Sequence, residues 1–267
     1  MIIIGERLNS SRRDVQEALA RRNEAFLLEQ AKLQEEAGAA YVDLNASALV
    51  DKEGETLRWS IPLLQRTLKI PLSLDTPNPE AMEEALKLHR GRALLNSITG
   101  EEGRIRNLLP LIKDYQPQVI VLCLDDKGLP DKPERALSIA HKMVELLVRQ
   151  GLKAEDIFVD PLVRPIGADW RAGSLFLESL ERIKSHLPGI KTIAGLSNVS
   201  FGLPQRKLLN KTMLVLALKV GLDAAICDPL DEELQAALAA SSALLSLDPS
   251  LKKYLQYIRQ KTRKGKP

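Results

Sequence analysis

Eight times along this chain, a short apolar run stops at a polar tip and gives way to a longer helical pattern. The runs span residues 2–4, 41–44, 72–74, 93–95, 119–124, 157–159, 192–195 and 224–226. Helical patterns follow them, through Phe26, Ala31 and Ala37, then through Leu57, Ile61, Leu64 and Leu68, then across 81–88, 105–112, 136–148, 175–183, 204–220 and 234–245. Strands separated by helical crossovers must pair in parallel. Eight such units in 267 residues predict an α/β fold, a closed (β/α)₈ TIM barrel forming one domain over 1–267. An open doubly wound sheet would need a glycine-rich first turn, and Gly5-Glu6-Arg7 supplies a single glycine. Parallel strands buried on both faces require aliphatic side chains, and the chain is 45% apolar with only 4% aromatic residues. Residues 250–267 are expected to form an accessory helix and a loose basic tail.

Charge narrows the partners. The formal net charge is +3, but Arg259, Lys261, Arg263, Lys264 and Lys266 alone place five cations in the last nine residues. The body is close to neutral, which argues against a nucleic-acid partner. No stretch reaches the roughly 18 consecutive apolar residues of a membrane span, and the N-terminus lacks a signal-peptide pattern. Cys123 and Cys227 stand far apart with no C-x-x-C spacing, which fits a reducing, cytoplasmic setting.

In a barrel the loops after the strands build the active face. The tips there carry Glu6 and Asn9, Asp43 and Asn45, Asp75, Asn96, Asp125 and Asp126, Asp160, Ser197 and Asn198, and Asp228. A sugar-phosphate site would want glycine-rich turns, which are missing apart from Gly195. A zinc site would want His or Cys in ligand spacing. His89, His141 and His186 instead fall in helical patterns, where solvated faces are expected, and no metal site is assigned. Oxygen ligands alone leave a magnesium site open. No Ser–His or Cys–His pair falls at the tips, so covalent nucleophilic catalysis finds no support.

A ring of carboxylates and amides suits a neutral heterocycle rich in N–H donors. A carboxylate accepts two parallel hydrogen bonds from a 2-amino-pyrimidinone edge, and an amide serves the adjoining carbonyl and ring nitrogen. A pterin has that edge. Asp126, Asp169 and Asp231 are expected to be helix caps or turn residues. Asp75 is spared that task because Asn78 and Pro79 already supply a cap and first turn. Asp160 precedes Pro161 and cannot run directly into a helix. Asp75, Asp160 and Asn96 are therefore expected to touch ligand, while Asp43 and Asn45 either touch it or brace those that do. Residues 191–202 run from a buried strand into the polar loop Gly195-Leu-Ser-Asn198.

Taken together, several segments resemble a known family: Ile-Gly-Glu-Arg-Leu-Asn at 4–9, Asp-Leu-Asn at 43–45, Leu-Asp-Thr-Pro-Asn at 74–78, Asn96-Ser97, Asp160-Pro-Leu, Gly-Leu-Ser-Asn-Val-Ser at 195–200, and Gly-Leu-Asp-Ala-Ala-Ile at 221–226. Their order and spacing are similar to those of the pterin-binding barrels, and within them to the methyltetrahydrofolate:corrinoid protein methyltransferases. The resemblance implies that Asp75, Asn96 and Asp160 hold the pterin and that Asn198 approaches N5. Asp43, Asn45, Gly195, Ser197 and Arg206 would complete the tetrahydrofolate site. It also implies transfer of the N5 methyl to or from the Co(I) corrinoid (cobalamin) of a partner corrinoid protein, of the iron–sulfur or demethylase type, by a homodimer. With no histidine at the tips, an oriented amide is the expected source of help to N5.

Dihydropteroate synthases resemble the chain in fold, but their loop carries Ser-Arg-Lys where Ser197-Asn198-Val199 stands here. Cobalamin-dependent methionine synthase contains a similar folate module, without its homocysteine and cobalamin domains in these residues. Phe201 departs from the methyltransferase pattern, replacing a usual amide. That departure motivates one alternative, a pterin-binding subunit without turnover; a second alternative is a methyltransferase using another tetrahydropterin as methyl carrier.

Overall fold

A computed structural model describes residues 1–264. Eight strands close in chain order into one parallel barrel: β1 Ile2–Asn9, β2 Tyr41–Asn45, β3 Leu72–Asp75, β4 Leu94–Thr99, β5 Gln118–Leu122, β6 Ile157–Asp160, β7 Lys191–Gly195 and β8 Ala224–Cys227. Strand β1 pairs with β2 on one side and with β8 on the other, which completes the ring. Alternation sorts each strand's side chains between two cores. Ile4, Tyr41, Leu94, Ile120, Phe158, Ile193 and Ala224 fill the barrel's interior. Val42, Leu44, Leu72, Leu74, Val119, Val121, Ile157 and Val159 point outward against the helices. Both faces are buried, so the strands read as continuous apolar runs.

The helices are α1 Arg13–Ala20, α2 Glu24–Glu36, α3 Glu53–Gln65, α4 Pro79–Leu88, α5 Glu102–Tyr115, α6 Pro133–Arg149, α7 Ala172–His186, α8 Arg206–Lys219, α9 Glu232–Leu244 and α10 Lys252–Lys264. Helix α4 starts as its sequence predicts, with Asn78 accepting from the N–H groups of Glu80 and Ala81 and Pro79 at the first position. Asp231 caps α9 in the same way. Helix α1 is additional to the expected set, because Val15, Ala18 and Leu19 make an apolar face too short to stand out. Helix α8 begins two residues later than its pattern suggested, since Gln205 adopts a left-handed φ of 53°. The accessory helix α10 carries Arg259 and Lys261, while Lys266 of the basic tail lies outside the described residues.

Strand β1 runs on to Asn9, well past the apolar 2–4, with a shift of register against β2 between Gly5 and Leu8. A helix neighbour explains Gly5. A Cβ there would lie 2.3 Å from Gln34 Oε1. Gln34 is fully buried, and that same oxygen accepts from Arg7 N at 2.9 Å. The close approach of α2 thus sets where Glu6 and Arg7 emerge.

The histidines divide. His141 and His186 are exposed, as expected. His89 corrects the expectation: it follows α4, is 8% exposed, and its Nε2 accepts from Leu72 N at 3.1 Å. The turn after α4 folds the ring under the start of β3, far from the strand tips. At that same end of the barrel, Asp156 accepts from Arg92 at 2.7 Å and from Gln118 at 3.4 Å, and Tyr41 donates to Gln118. Those polar side chains are spent on one another, which leaves the opposite end for function.

Candidate active site

At the C-terminal ends of the strands lies a cavity of about 510 Å³. Its wall contains seven of the expected residues: Asp43, Asp75, Asn96, Gly195, Ser197, Asn198 and Arg206. Asn45 and Asp160 are buried and outside the lining, each bonded to a residue that belongs to it, Asp75 and Gly195. The wall also contains Glu6, Asn9 and Arg12. Among the described residues, no group of three or more His, Cys, Asp or Glu is placed to hold a metal ion.

One half of the site is built on β2, β3 and β4, whose tips lie side by side. Asp43 Oδ1 accepts from Ser73 Oγ at 2.6 Å and from Asn96 Nδ2 at 3.1 Å. That contact turns the Asn96 amide and presents its carbonyl oxygen as the unused acceptor. Asn45 Nδ2 donates to Asp75 Oδ2 at 2.9 Å. Its own oxygen accepts from Ser10 Oγ at 2.9 Å and from Ser47 N at 3.1 Å. Asn45 is therefore a brace for Asp75, whereas Asp43 both braces Asn96 and reaches the wall. Burial raises the Asp75 carboxyl to about 6, against the opposing pull of Asn45. Asp43 is likewise held well above the usual carboxylate range, by burial first and then by the nearby charge of Asp75.

Asp160 ends β6. Its Oδ1 accepts from Leu162 N at 2.7 Å, and Gly195 N–H also points at the carboxylate. Burial outweighs both donors and raises it to about 7.

The other half is the turn Leu196–Ser200, a short 3-10 helix after β7 and four strands around from β3. A Cβ at Gly195 would come within 3.0 Å of Asn198 Nδ2, so a glycine lets that amide fold back over the strand's end. Asn198 is exposed in the cavity wall and its side chain has no hydrogen-bond partner among the described residues. Arg206 pins the turn by donating to Ser197 O at 2.8 Å and to Ser200 Oγ at 3.1 Å. Its guanidinium also lies 6.0 Å from the ring centre of Phe201, which is 67% exposed at the mouth.

One residue that shapes the site escaped the sequence. Arg104 on α5 donates to Thr76 O at 3.1 Å and to Ser97 O at 2.9 Å, and also to Pro77 O, tying the tips of β3 and β4 together. Its place in the first turn of α5 carried no signal. Glu6 was visible as a strand-tip residue, but its surroundings were not. The Asp125–Asp126 pair proves structural: Asp125 holds Arg135 at 2.5 Å, and Asp126 accepts from Glu102 N at the start of α5.

A parallel barrel with carboxylates and amides converging at its strand ends defines a class. The chain belongs to the pterin-binding enzymes, whose family model, "Pterin binding enzyme", matches residues 5–228. It is 35% identical over 262 residues to a methylcorrinoid:tetrahydrofolate methyltransferase of Eubacterium limosum, spanning 97% of each chain. It is 27% identical to methionine synthase of Mycobacterium tuberculosis over 85% of this chain and 20% of that protein. Among solved structures, dihydropteroate synthase of Clostridium difficile, crystallised in the presence of pteroic acid, superposes with a TM-score of 0.70. It has 25% identity and covers 91% of this chain and 96% of its own.

Proposed function

We propose that this protein is a methyltransferase that moves the N5 methyl group between methyltetrahydrofolate and the Co(I) corrinoid of a partner corrinoid protein. One observation carries the reading: the unpartnered Asn198 amide faces, across one cavity, the acceptor-rich tips of β2, β3 and β4. The near full-length likeness to the Eubacterium limosum enzyme supports it.

In this reading Asp75 and Asp160 accept the pterin's amino and ring N–H groups as carboxylates, and Asn96 offers its oxygen to the same edge. Such bonds are desolvated and discriminate strongly against a ring lacking the matching groups. Asn198 donates toward N5. A tertiary amine is a poor leaving group, so N5 must gain a proton or hydrogen bond as its bond to the methyl breaks. A donor already oriented there stabilises that charge without reorganisation. The corrinoid stays with its own protein and approaches through the cavity's open mouth, past Phe201 and Arg206.

The protein is further proposed to act in the cytoplasm as a homodimer, with a corrinoid partner of the iron–sulfur or demethylase type. Support for a second copy is the exposed apolar surface of Leu208 and Leu216 on α8 and Leu255 and Ile258 on α10. Among the described residues no helix is long and apolar enough to cross a membrane.

The test uses the purified protein with methyltetrahydrofolate and free Co(I) cobalamin. Methylcobalamin and tetrahydrofolate should form in equal amounts, and the reverse mixture should regenerate the starting pair. Tight folate binding without transfer in either direction would instead establish a pterin-binding subunit. Light scattering on the same sample that gives the mass of one chain would remove the homodimer.

A further inference from the structure

Among the described residues, Glu6 is the one carboxyl that lines the cavity on the Asn198 side. It sits on the inner face of β1, in alternation with Ile2 and Ile4, and is half-buried in the same wall as Asn198. Its Oε2 accepts from the hydroxyl of Ser197 at 3.1 Å. Ser197 immediately precedes Asn198 on the pinned 3-10 turn, so one short segment presents both the amide and the carboxyl.

Its charged surroundings are mixed. Asp228 at the tip of β8 and Asp43 on β2 repel a carboxylate at this place, while Arg206 from α8 and Arg12 after β1 attract it. None of these neutralises it by contact. Arg7, the next residue along, turns away to Asp228 at 2.8 Å, and Arg206 is spent on Ser197 O and Ser200. The thiol of Cys227 is buried nearby and is driven to the protonated form, and the described histidines lie elsewhere.

Resting on the methyltransferase reading, we propose that Glu6 exchanges the proton that N5 must gain or lose during methyl transfer. In the direction of tetrahydrofolate methylation, the N5 lone pair forms the bond to the methyl carbon. The electrons of the cobalt–carbon bond remain on cobalt, reducing Co(III) to Co(I). N5 then carries both methyl and hydrogen as an ammonium, and its proton passes to the Glu6 carboxylate. In the other direction protonated Glu6 returns that proton, and the electrons of the N5–methyl bond stay on nitrogen. Asn198 orients N5 in both directions; an amide cannot itself take up or release the proton. Burial, the largest influence, holds Glu6 at about 7, where either protonation state is accessible in neutral solution.

The experiment compares wild type, Glu6→Gln, Glu6→Asp and Ser197→Ala with free cobalamin in both directions, from pH 5.5 to 8.5. Folate binding is measured in parallel. For wild type, the rate of demethylation of methyltetrahydrofolate should fall as pH rises through about 7. Glu6→Gln should lower the rate about 10²–10⁴-fold in both directions and abolish that pH limb, with folate affinity nearly unchanged. Glu6→Asp should restore part of the rate together with the limb. Ser197→Ala removes a hydrogen bond that favours the carboxylate and should move the limb to higher pH. An active wild type with Glu6→Gln at full rate and an intact limb overturns the role of Glu6 alone. Parallel loss of rate and folate affinity in Glu6→Gln also overturns it, by making Glu6 structural. A wild type inactive in both directions overturns the methyltransferase reading and this inference with it.

Discussion

Replacing Asp75 with Ala is expected to weaken methyltetrahydrofolate binding about 10²–10⁴-fold while the barrel stays folded. Two losses combine. A hydrogen bond to a charged group contributes about 1.5–3 kcal/mol, and a buried ligand N–H left without an acceptor costs about 1–3 kcal/mol more. Every 1.4 kcal/mol is about tenfold in affinity. The fold should survive because Asn45, which loses its contact to Asp75, is still held by Ser10 and Ser47. Titration calorimetry on wild type and variant decides the matter, and unchanged affinity would move the pterin away from this half of the cavity.

The same carboxyls give binding a pH dependence with a definite sign. The ligand's donors require Asp75 and Asp160 as carboxylates, and burial has raised these to about 6 and about 7. Binding should therefore strengthen as pH rises from about 5 through about 7 and level off at about 8. The ligand-free protein moves the other way. A carboxyl whose folded value lies above its unfolded value favours folding below the unfolded value, and that contribution is lost as pH rises through the folded one. Folate should accordingly stabilise the protein most where these groups alone stabilise it least.

Asn198→Ala is expected to reduce methyl transfer by about 10²-fold, the cost typical of deleting one preorganised donor to a developing charge. Folate affinity should change much less, because the pterin edge is held from the opposite half of the site. Single-turnover rates set beside equilibrium binding make the comparison. Equal losses in both would end the special role of Asn198. The pH limb should persist in this variant, since the proposed proton exchanger, Glu6, is untouched.

Much of this was legible in the chain because the signals are local. Asn78 with Pro79 announces its own helix start, and Asp231 its own cap, within three residues. The tips Asn45, Asp75 and Asn96 were visible because each ends an apolar run. Asp125 ends an apolar run as the site carboxylates do, yet it serves Arg135, while Asp126, read from sequence as a cap or turn residue, accepts from the first N–H of α5. His89 was read as solvated from its helical setting, but it is buried by the turn that follows α4.

The sequence by itself determined the eightfold strand–helix alternation, and with it the barrel and the end at which its polar tips gather. Periodicity, caps and turn chemistry act over a few residues, so they survive the absence of a structure. Only the tertiary structure decided which tips meet and what burial does to them. The Ser197–Glu6 hydrogen bond joins residues 191 positions apart, and the Arg7–Asp228 pair joins residues 221 apart. Desolvation depends on everything packed around a group, whatever its place in the chain. That is why Asn198 stood out in the sequence, while the raised carboxyl of Glu6 emerged only when the barrel closed β1 against β8.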